Sequence, residues 1–306
     1  MCDEIKKNGE SYYLISEEKR REMVKRSVAA ITDIYQNSIL KDSSRNSFMI
    51  KRMEDLADRT IWAMGEQLKC GDFVPFVFEH KFNMEVGDGD RKQLMSGTID
   101  RVDICENGTD VYVRIIDYKT GKKDFNIVKT YYGIDIQLMV YMEAAMKLVA
   151  KMRPGKNVIP AGVFYYNISD PIVSATTESA EEIEDKIKGE LRLKGMVNSD
   201  KDIAEKMDNT EGTSLNIPVS RKADGGFDSR RSKVMNTEQF NMLGRFVDVR
   251  AVDTADRIAA GDIMRSPYKD GQFSSCDRCP YGAVCGFSVD LPGCNYRKLK
   301  KFDDEV

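Results

Sequence analysis

Ser96-Gly-Thr-Ile-Asp100-Arg-Val-Asp103-Ile104 and Val111-Tyr-Val-Arg-Ile-Ile-Asp117-Tyr-Lys119-Thr-Gly121 are two extended stretches joined through Glu106-Asn107-Gly108. Their β-branched content and the Asn-Gly turn predict two strands of a hairpin. Alternate side chains of a strand share a face, so Val111, Val113, Ile115, Asp117 and Lys119 line one side. An apolar face that ends in an acid and, two residues on, a lysine is unusual. A carboxylate there can hold a divalent cation, and the lysine beside it can position or deprotonate a water. On the preceding strand Asp100 shares a face with Val102 and Ile104, whereas Asp103 has the parity of Ile99 and Arg101. Only one of the two acids can join Asp117, and Asp100, with two apolar neighbours after it, is expected on the buried side. Two carboxylates on adjacent strands bring the charge that one Mg²⁺ needs, with waters and phosphate completing its octahedron.

Outward from this hairpin, apolar periodicity predicts helices over residues 17–40, capped by Ser16, and over 44–68. A strand is expected over 76–82, before strands 94–104 and 110–119. A long helix is expected over 127–152, where Gln137 and Tyr141 lie one turn apart on one face. Strand 158–168 and helix 179–194, stopped by Gly195, follow. Residues 208–235 read as irregular. The last long helix spans 237–260, with Thr237 as cap and Gly261 as stop, and the tail from Pro267 is irregular. Thr120-Gly121-Lys122 lacks the upstream glycine and the following Ser or Thr of a phosphate-binding loop.

The 306 residues carry 47 basic and 50 acidic side chains, a formal net charge of −3. Such a chain exerts no global pull on nucleic acid, so any DNA site must be a local basic patch. Lys119, Lys122 and Lys123 flank the acids. Arg221, Lys222, Arg230, Arg231 and Lys233 crowd the irregular segment, and Lys298, Lys300 and Lys301 the tail. Tyr131 and Tyr132 suit either base stacking or core packing. The polar start MCDEIKKNGE and the absence of a long apolar run predict a soluble, cytoplasmic chain without a signal peptide or membrane span.

Seven cysteines at low density fit a reducing compartment better than a disulfide framework. His80 is the only histidine, which leaves almost no material for a histidine-rich zinc site or a Ser-His-Asp triad. Cys276-x2-Cys279-x5-Cys285 places three thiolates close enough to share one metal or cluster, and zinc and iron–sulfur both remain open on spacing. Cys70 and Cys105 fall near strands and read as ordinary buried or semi-exposed thiols.

SGTIDRVDI, VRIIDYKTG and YYGIDIQLMVYMEA together resemble the nuclease core of the RecB-like branch of the PD-(D/E)XK superfamily. The resemblance implies an α/β fold, a mixed sheet flanked by helices, with a C-terminal cysteine-cluster tail. It makes Asp100 the first metal-binding aspartate, Asp117 the second acid and Lys119 the catalytic lysine. Gln137 and Tyr141 match the motif on the following helix, and Glu79, in FVPFVFEHKF, the acid of the first core strand. IPAGVFYYNISDPI and the terminal cysteines resemble more specifically the B subunits of AddAB-type ATP-dependent helicase/deoxyribonucleases.

That likeness implies a Mg²⁺-dependent exonuclease domain acting on the 5′-ended strand at double-strand breaks, ahead of homologous recombination. It also implies an A-type helicase-nuclease subunit as partner and a bacterial cytoplasmic setting. Cys276, Cys279 and Cys285 then become ligands of a [4Fe–4S] cluster whose fourth cysteine lies upstream. The family's metal-binding histidine precedes the first core strand. No histidine precedes His80, so the chain is expected to be the C-terminal nuclease part of a longer protein, beginning downstream of that position. Residues 1–72 would be its helical entry, 73–200 the nuclease core, and 201–306 the terminal helix, loop and cysteine segment. Two alternatives share these features. One is a free-standing CRISPR-associated RecB-like iron–sulfur exonuclease. The other is a cluster- or zinc-stapled DNA-binding module that no longer cuts.

Overall fold

The computed structural model describes residues 2–7, 11–34, 43–87, 92–174 and 179–300. Three helices come first, α1 (Cys2–Lys7), α2 (Glu17–Ile34) and α3 (Ser44–Lys69). Three strands follow, β1 (Val74–Val86), β2 (Gln93–Asn107) and β3 (Asp110–Lys119). Then come α4 (Ile127–Tyr131), α5 (Gln137–Met152), β4 (Asn157–Asn167), α6 (Ala180–Glu190), β5 (Lys194–Asn198), α7 (Lys201–Met207), β6 (Val234–Met235) and α8 (Thr237–Ala259). The tail holds β7 (Tyr268–Asp270), β8 (Phe273–Ser274), the short helix α9 (Gly282–Cys285) and β9 (Arg297–Lys298).

The strands form a six-stranded sheet in the order β1-β2-β3-β4-β5-β6 and a three-stranded sheet β8-β7-β9. In the larger sheet β2 and β3 are antiparallel, β3 and β4 parallel, β4 and β5 antiparallel, β5 and β6 parallel. The sheet is therefore mixed, as expected. The parallel β3–β4 pair requires a crossover, which α4 and α5 supply. The chain forms two compact units: residues 1–82, 97–125 and 141–241, and residues 83–96, 126–140 and 242–306.

Both faces of β3 are covered. Tyr112 and Ile116 join a cluster with Phe73, Phe164, Tyr166, Leu193 and Val197, while Val111, Val113 and Ile115 are wholly buried with the alternate parity. Strands buried on both faces lose the simple in/out alternation. Among the described residues no helix is long and apolar enough to cross a membrane.

Several boundaries differ from expectation for local reasons. The 127–152 helix is two helices, because Gly133 at φ +71° closes α4 and Ile134 N–H returns to the Lys129 carbonyl, an αL helix ending that favours glycine. Helix α6 stops at Glu190, and Gly195 lies inside β5 rather than at a helix end. A Cβ on Gly195 would sit 1.9 Å from the Val163 carbonyl oxygen, so the two backbones pack directly. Asn236, not Thr237, caps α8: its side chain accepts from Gln239 N–H at 2.8 Å. Ser16 does cap α2, accepting from Lys19 N–H. Residues 35–40 of the helix expected over 17–40, and Lys301, lie outside the described residues.

Candidate active site

The β2–β3 ladder runs from Asn107↔Asp110 to Arg101↔Ile116. One step beyond it stand Asp100 and Asp117. The Asp100 carboxylate accepts the backbone N–H of Tyr118 at 2.7 Å, which pins that acid against the end of β3. Asp117 is 2% exposed. Its buried Oδ2 makes no well-directed hydrogen bond, and the group in contact with it is the Lys119 ammonium. Burial pushes the Asp117 carboxyl above the usual range; the Lys119 contact pulls it down, and neighbouring Asp100 pushes it up again.

Glu79 is exposed on β1, and its carboxyl is also raised, by desolvation first and by Asp100 second. Asp100 thus feels a like charge on each side. Glu79 has φ +47°, in the left-handed region that a bulky L-residue adopts at a cost. Phe78 and Phe82 share a parity, yet Phe78 packs on the α1–α3 cluster and Phe82 on Tyr141 of α5, edge-on at 5.8 Å. The left-handed residue between them is where the strand changes sides, as at a bulge.

Lys119 extends over the ring of Tyr165, 5.7 Å from its centroid, and Lys123 covers the same ring at 5.4 Å. Tyr165 is wholly buried and is the Cα partner of Asp117 across the parallel β3–β4 pair. The loop bearing Lys123 is fixed by Asn167, whose side chain bonds both Lys123 N–H and Lys123 carbonyl at 2.9 and 3.0 Å. Lys122 is exposed. Tyr165 escapes sequence reading, since which member of Tyr165-Tyr166 faces Asp117 depends on the β3–β4 register.

The other expected residues lie as follows. Tyr141 packs against Phe82 and the backbone at Gly97, so it supports the entry to β2. Gln137, half-buried, is the first residue of α5, one turn before Tyr141. His80 is half-buried. Arg221 is spent internally on the carbonyls of Ala204, Asp208 and Thr210, and Lys233 pairs with Asp124 at 2.5 Å. Tyr131 stacks on Phe246 at 5.0 Å.

One expectation is corrected. The most deeply buried acid of β2 is Asp103, fully buried, not Asp100, which is half-buried. Arg101 chelates Asp103 at 2.6 and 2.7 Å and Arg114 adds a contact at 2.9 Å, with both arginines 1% exposed. Burial alone would raise the Asp103 carboxyl, but the two guanidiniums hold it below the usual range. Parity assigns one acid to a buried face; with both faces buried, each acid has its own interior.

Among the described residues no three His, Cys, Asp or Glu side chains gather as a metal site. Asp100 and Asp117, with Glu79 beside them, form an acidic cluster that the Lys119 ammonium compensates only in part. That donor set suits a hard cation held by one or two carboxylates with water and phosphate in its other positions. The cysteines do not fit in the same way. Cys276 is half-buried in the 3₁₀ turn Ser275–Arg278, Cys279 is exposed after it, and Cys285 ends α9. Cys276 and Cys279 share one turn, with Cys279 N–H bonded to the Cys276 carbonyl, but among the described residues the three cysteines do not gather as a metal site.

A model of the PD-(D/E)XK nuclease superfamily matches residues 10–286. The chain belongs to that superfamily and is a nuclease by family. It is 36% identical over 280 residues, 88% of its length, to the B subunit of the ATP-dependent helicase/deoxyribonuclease of Clostridium botulinum strain Hall. The B subunits of the same name from Caldanaerobacter subterraneus subsp. tengcongensis and Lachnoclostridium phytofermentans are 34% and 33% identical, over 91% and 96% of this chain. The chain spans about a quarter of the length of these curated relatives, 24% to 26%.

Proposed function

We propose that this chain is the Mg²⁺-dependent DNA-cleaving domain of a helicase-nuclease, an exonuclease on the 5′-ended strand that prepares double-strand breaks for homologous recombination. The observation that carries the reading is the buried Asp117 carboxylate with Asp100 on one side and the Lys119 ammonium on the other. In this reading Asp100 and Asp117 are the metal ligands, and Glu79 adds negative charge to that flank. A bound divalent cation would lower the pKa of a water and stabilise charge on the phosphate.

The Lys119 ammonium touches Asp117 and is 30% exposed, so it keeps donors free for a phosphoryl oxygen or for the attacking water. The water oxygen adds to phosphorus, the bond from phosphorus to the leaving sugar oxygen breaks, and the proton released passes to solvent. The Tyr165 ring beneath Lys119 restricts its swing. Tyr141 holds β1 and β2 together behind the acids, and Gln137 is proposed as a positioning group. The similarity to those B subunits supports an A-type partner, a bacterial cytoplasmic setting and a DNA substrate. The resemblance to AddAB-type B subunits, not the cysteine spacing itself, supports a [4Fe–4S] cluster in the intact protein, and no step above depends on it.

End-labelled duplex DNA tests the reading. Mg²⁺-dependent release of label from 5′ ends, abolished by EDTA and by Asp100→Asn, is expected; cleavage that survives either treatment would overturn it. Iron content and a brown colour that disappears in Cys279→Ser are expected of protein purified without oxygen, whereas colourless protein with stoichiometric zinc would replace the cluster by a structural zinc.

A further inference from the structure

Asp117 of β3 is paired with Tyr165 of β4, and Tyr165 with Lys194 of β5. Residues paired in this way share a face, so Asp117, Tyr165 and Lys194 form one row across three strands. The alternation on β5 agrees: Leu193 and Val197 enter the core cluster with Phe164 and Tyr166, which leaves Lys194 on the opposite face. Neighbouring strands lie about 4.8 Å apart, so Lys194 starts about 10 Å from Asp117, within reach of a strand bound there. Lys194 is half-buried, and its side chain makes no hydrogen bond or ion pair among the described residues. A half-exposed ammonium that spends no donor on the protein can exchange its water for a phosphate oxygen.

Charge along the row changes sign. Glu79, Asp100 and Asp117 come from β1, β2 and β3; Lys119, Lys123 and Lys194 come from the end of β3, the loop after it and β5. Tyr165 is the divide, with Lys119 and Lys123 over its ring. We propose that Lys194, with Lys123, holds the phosphate next to the scissile one, so that a DNA strand crosses the sheet edge with its reacting phosphate at the acids and its neighbour on the lysines. The proposal rests on the nuclease reading for the identity of the ligand. A lysine is suited to this as a mobile point charge rather than a bidentate fork. It makes Lys194 a positioning residue that binds the strand without touching the reacting atoms.

Steady-state cleavage of a labelled single-stranded oligonucleotide by the intact protein, repeated over a salt series, separates the roles. Lys194→Gln should raise KM about fivefold to tenfold and lower the slope of log KM against log salt by about one, as loss of one phosphate contact does. Lys194→Arg should recover most of the affinity. An unchanged KM and slope, or a fall in kcat alone, would overturn the clamp. If Lys194→Gln does not fold, Lys123→Gln in the surface loop should show the same KM effect, and a wild-type KM there overturns the proposal equally. Binding of the same oligonucleotide in EDTA, read by fluorescence anisotropy, is independent of catalysis. Wild-type affinity of Lys194→Gln in that assay defeats the clamp alone, whereas full cleavage by a parallel Asp117→Asn protein defeats the placing of the cleavage site at Asp117 alone.

Discussion

Asp100 and Asp103 lie three residues apart on one strand and meet opposite electrostatic environments. Asp103 is enclosed by two guanidiniums, and its carboxyl is held below the usual range. Asp100 adjoins Glu79 and Asp117, whose carboxyls are raised by burial first and by Asp100 after it, and accepts one backbone N–H. The Asp103 carboxylate is fully answered by cations of the protein itself; the other interior keeps negative charge in excess. Buried charge completed within the chain fixes a structure, and buried charge left incomplete is where an external cation can be bound.

The comparison breaks most sharply at Asp103. Asp103→Ala leaves two buried arginines without their acid and should cost about 3–5 kcal/mol in denaturant unfolding, whereas Asp100→Ala, which frees one backbone donor, should cost about 1–2 kcal/mol. Equal losses would erase the distinction between the two interiors. Next in size, Lys119→Ala should lower kcat about 10²–10³-fold with an unchanged unfolding midpoint, as removal of one transition-state donor does. Wild-type turnover by that variant would remove Lys119 from the chemistry.

The pH dependence of folding reads the structural side. Because the folded-state pKa of Asp103 is depressed, its contribution to stability is present above the ordinary aspartate value and is lost as pH falls through the depressed one. Acid unfolding followed by circular dichroism should therefore be shallower in Asp103→Asn below pH about 4, though that variant starts from a lower plateau. An unaltered acid limb would mean that the pair with Arg101 and Arg114 is not formed in solution. Metal reads the other side: millimolar Mg²⁺ should raise the Tm of the wild-type protein by a few degrees and leave Asp117→Asn unmoved. The smallest effect is expected at Gln137→Ala, a loss of about tenfold or less in kcat; a loss matching that of Lys119→Ala would make Gln137 a catalytic group rather than a positioning one.

Much of this arrangement is legible in the residues. Strand β3 spans 110–119 as alternation indicates, because its turn is marked by Gly108 at φ +60° and its end by Lys119. The adjacency of Asp100 and Asp117 follows from hairpin parity. The burial of Asp103 does not, since alternation tells one face from the other but not that both are covered. Gly133 and Gly195 defeat local reading for opposite reasons: the first ends a helix within a run of helical periodicity, and the second is demanded by a tertiary contact with the β4 backbone. Tyr165 and Lys194 are invisible to any local rule, because their common face with Asp117 is set by strand register between segments far apart in the chain.

The central claim is that Asp117 holds a cation needed for cleavage and is not needed for the fold. Calorimetric titration of Mg²⁺ or Mn²⁺ into wild-type and Asp117→Asn protein, each also assayed on end-labelled DNA, addresses it in one comparison. The wild type should bind the cation and cleave, while Asp117→Asn should retain its unfolding transition, lose the binding heat and lose cleavage by about 10³-fold or more. Metal binding and cleavage at wild-type levels in a folded Asp117→Asn protein would contradict the account.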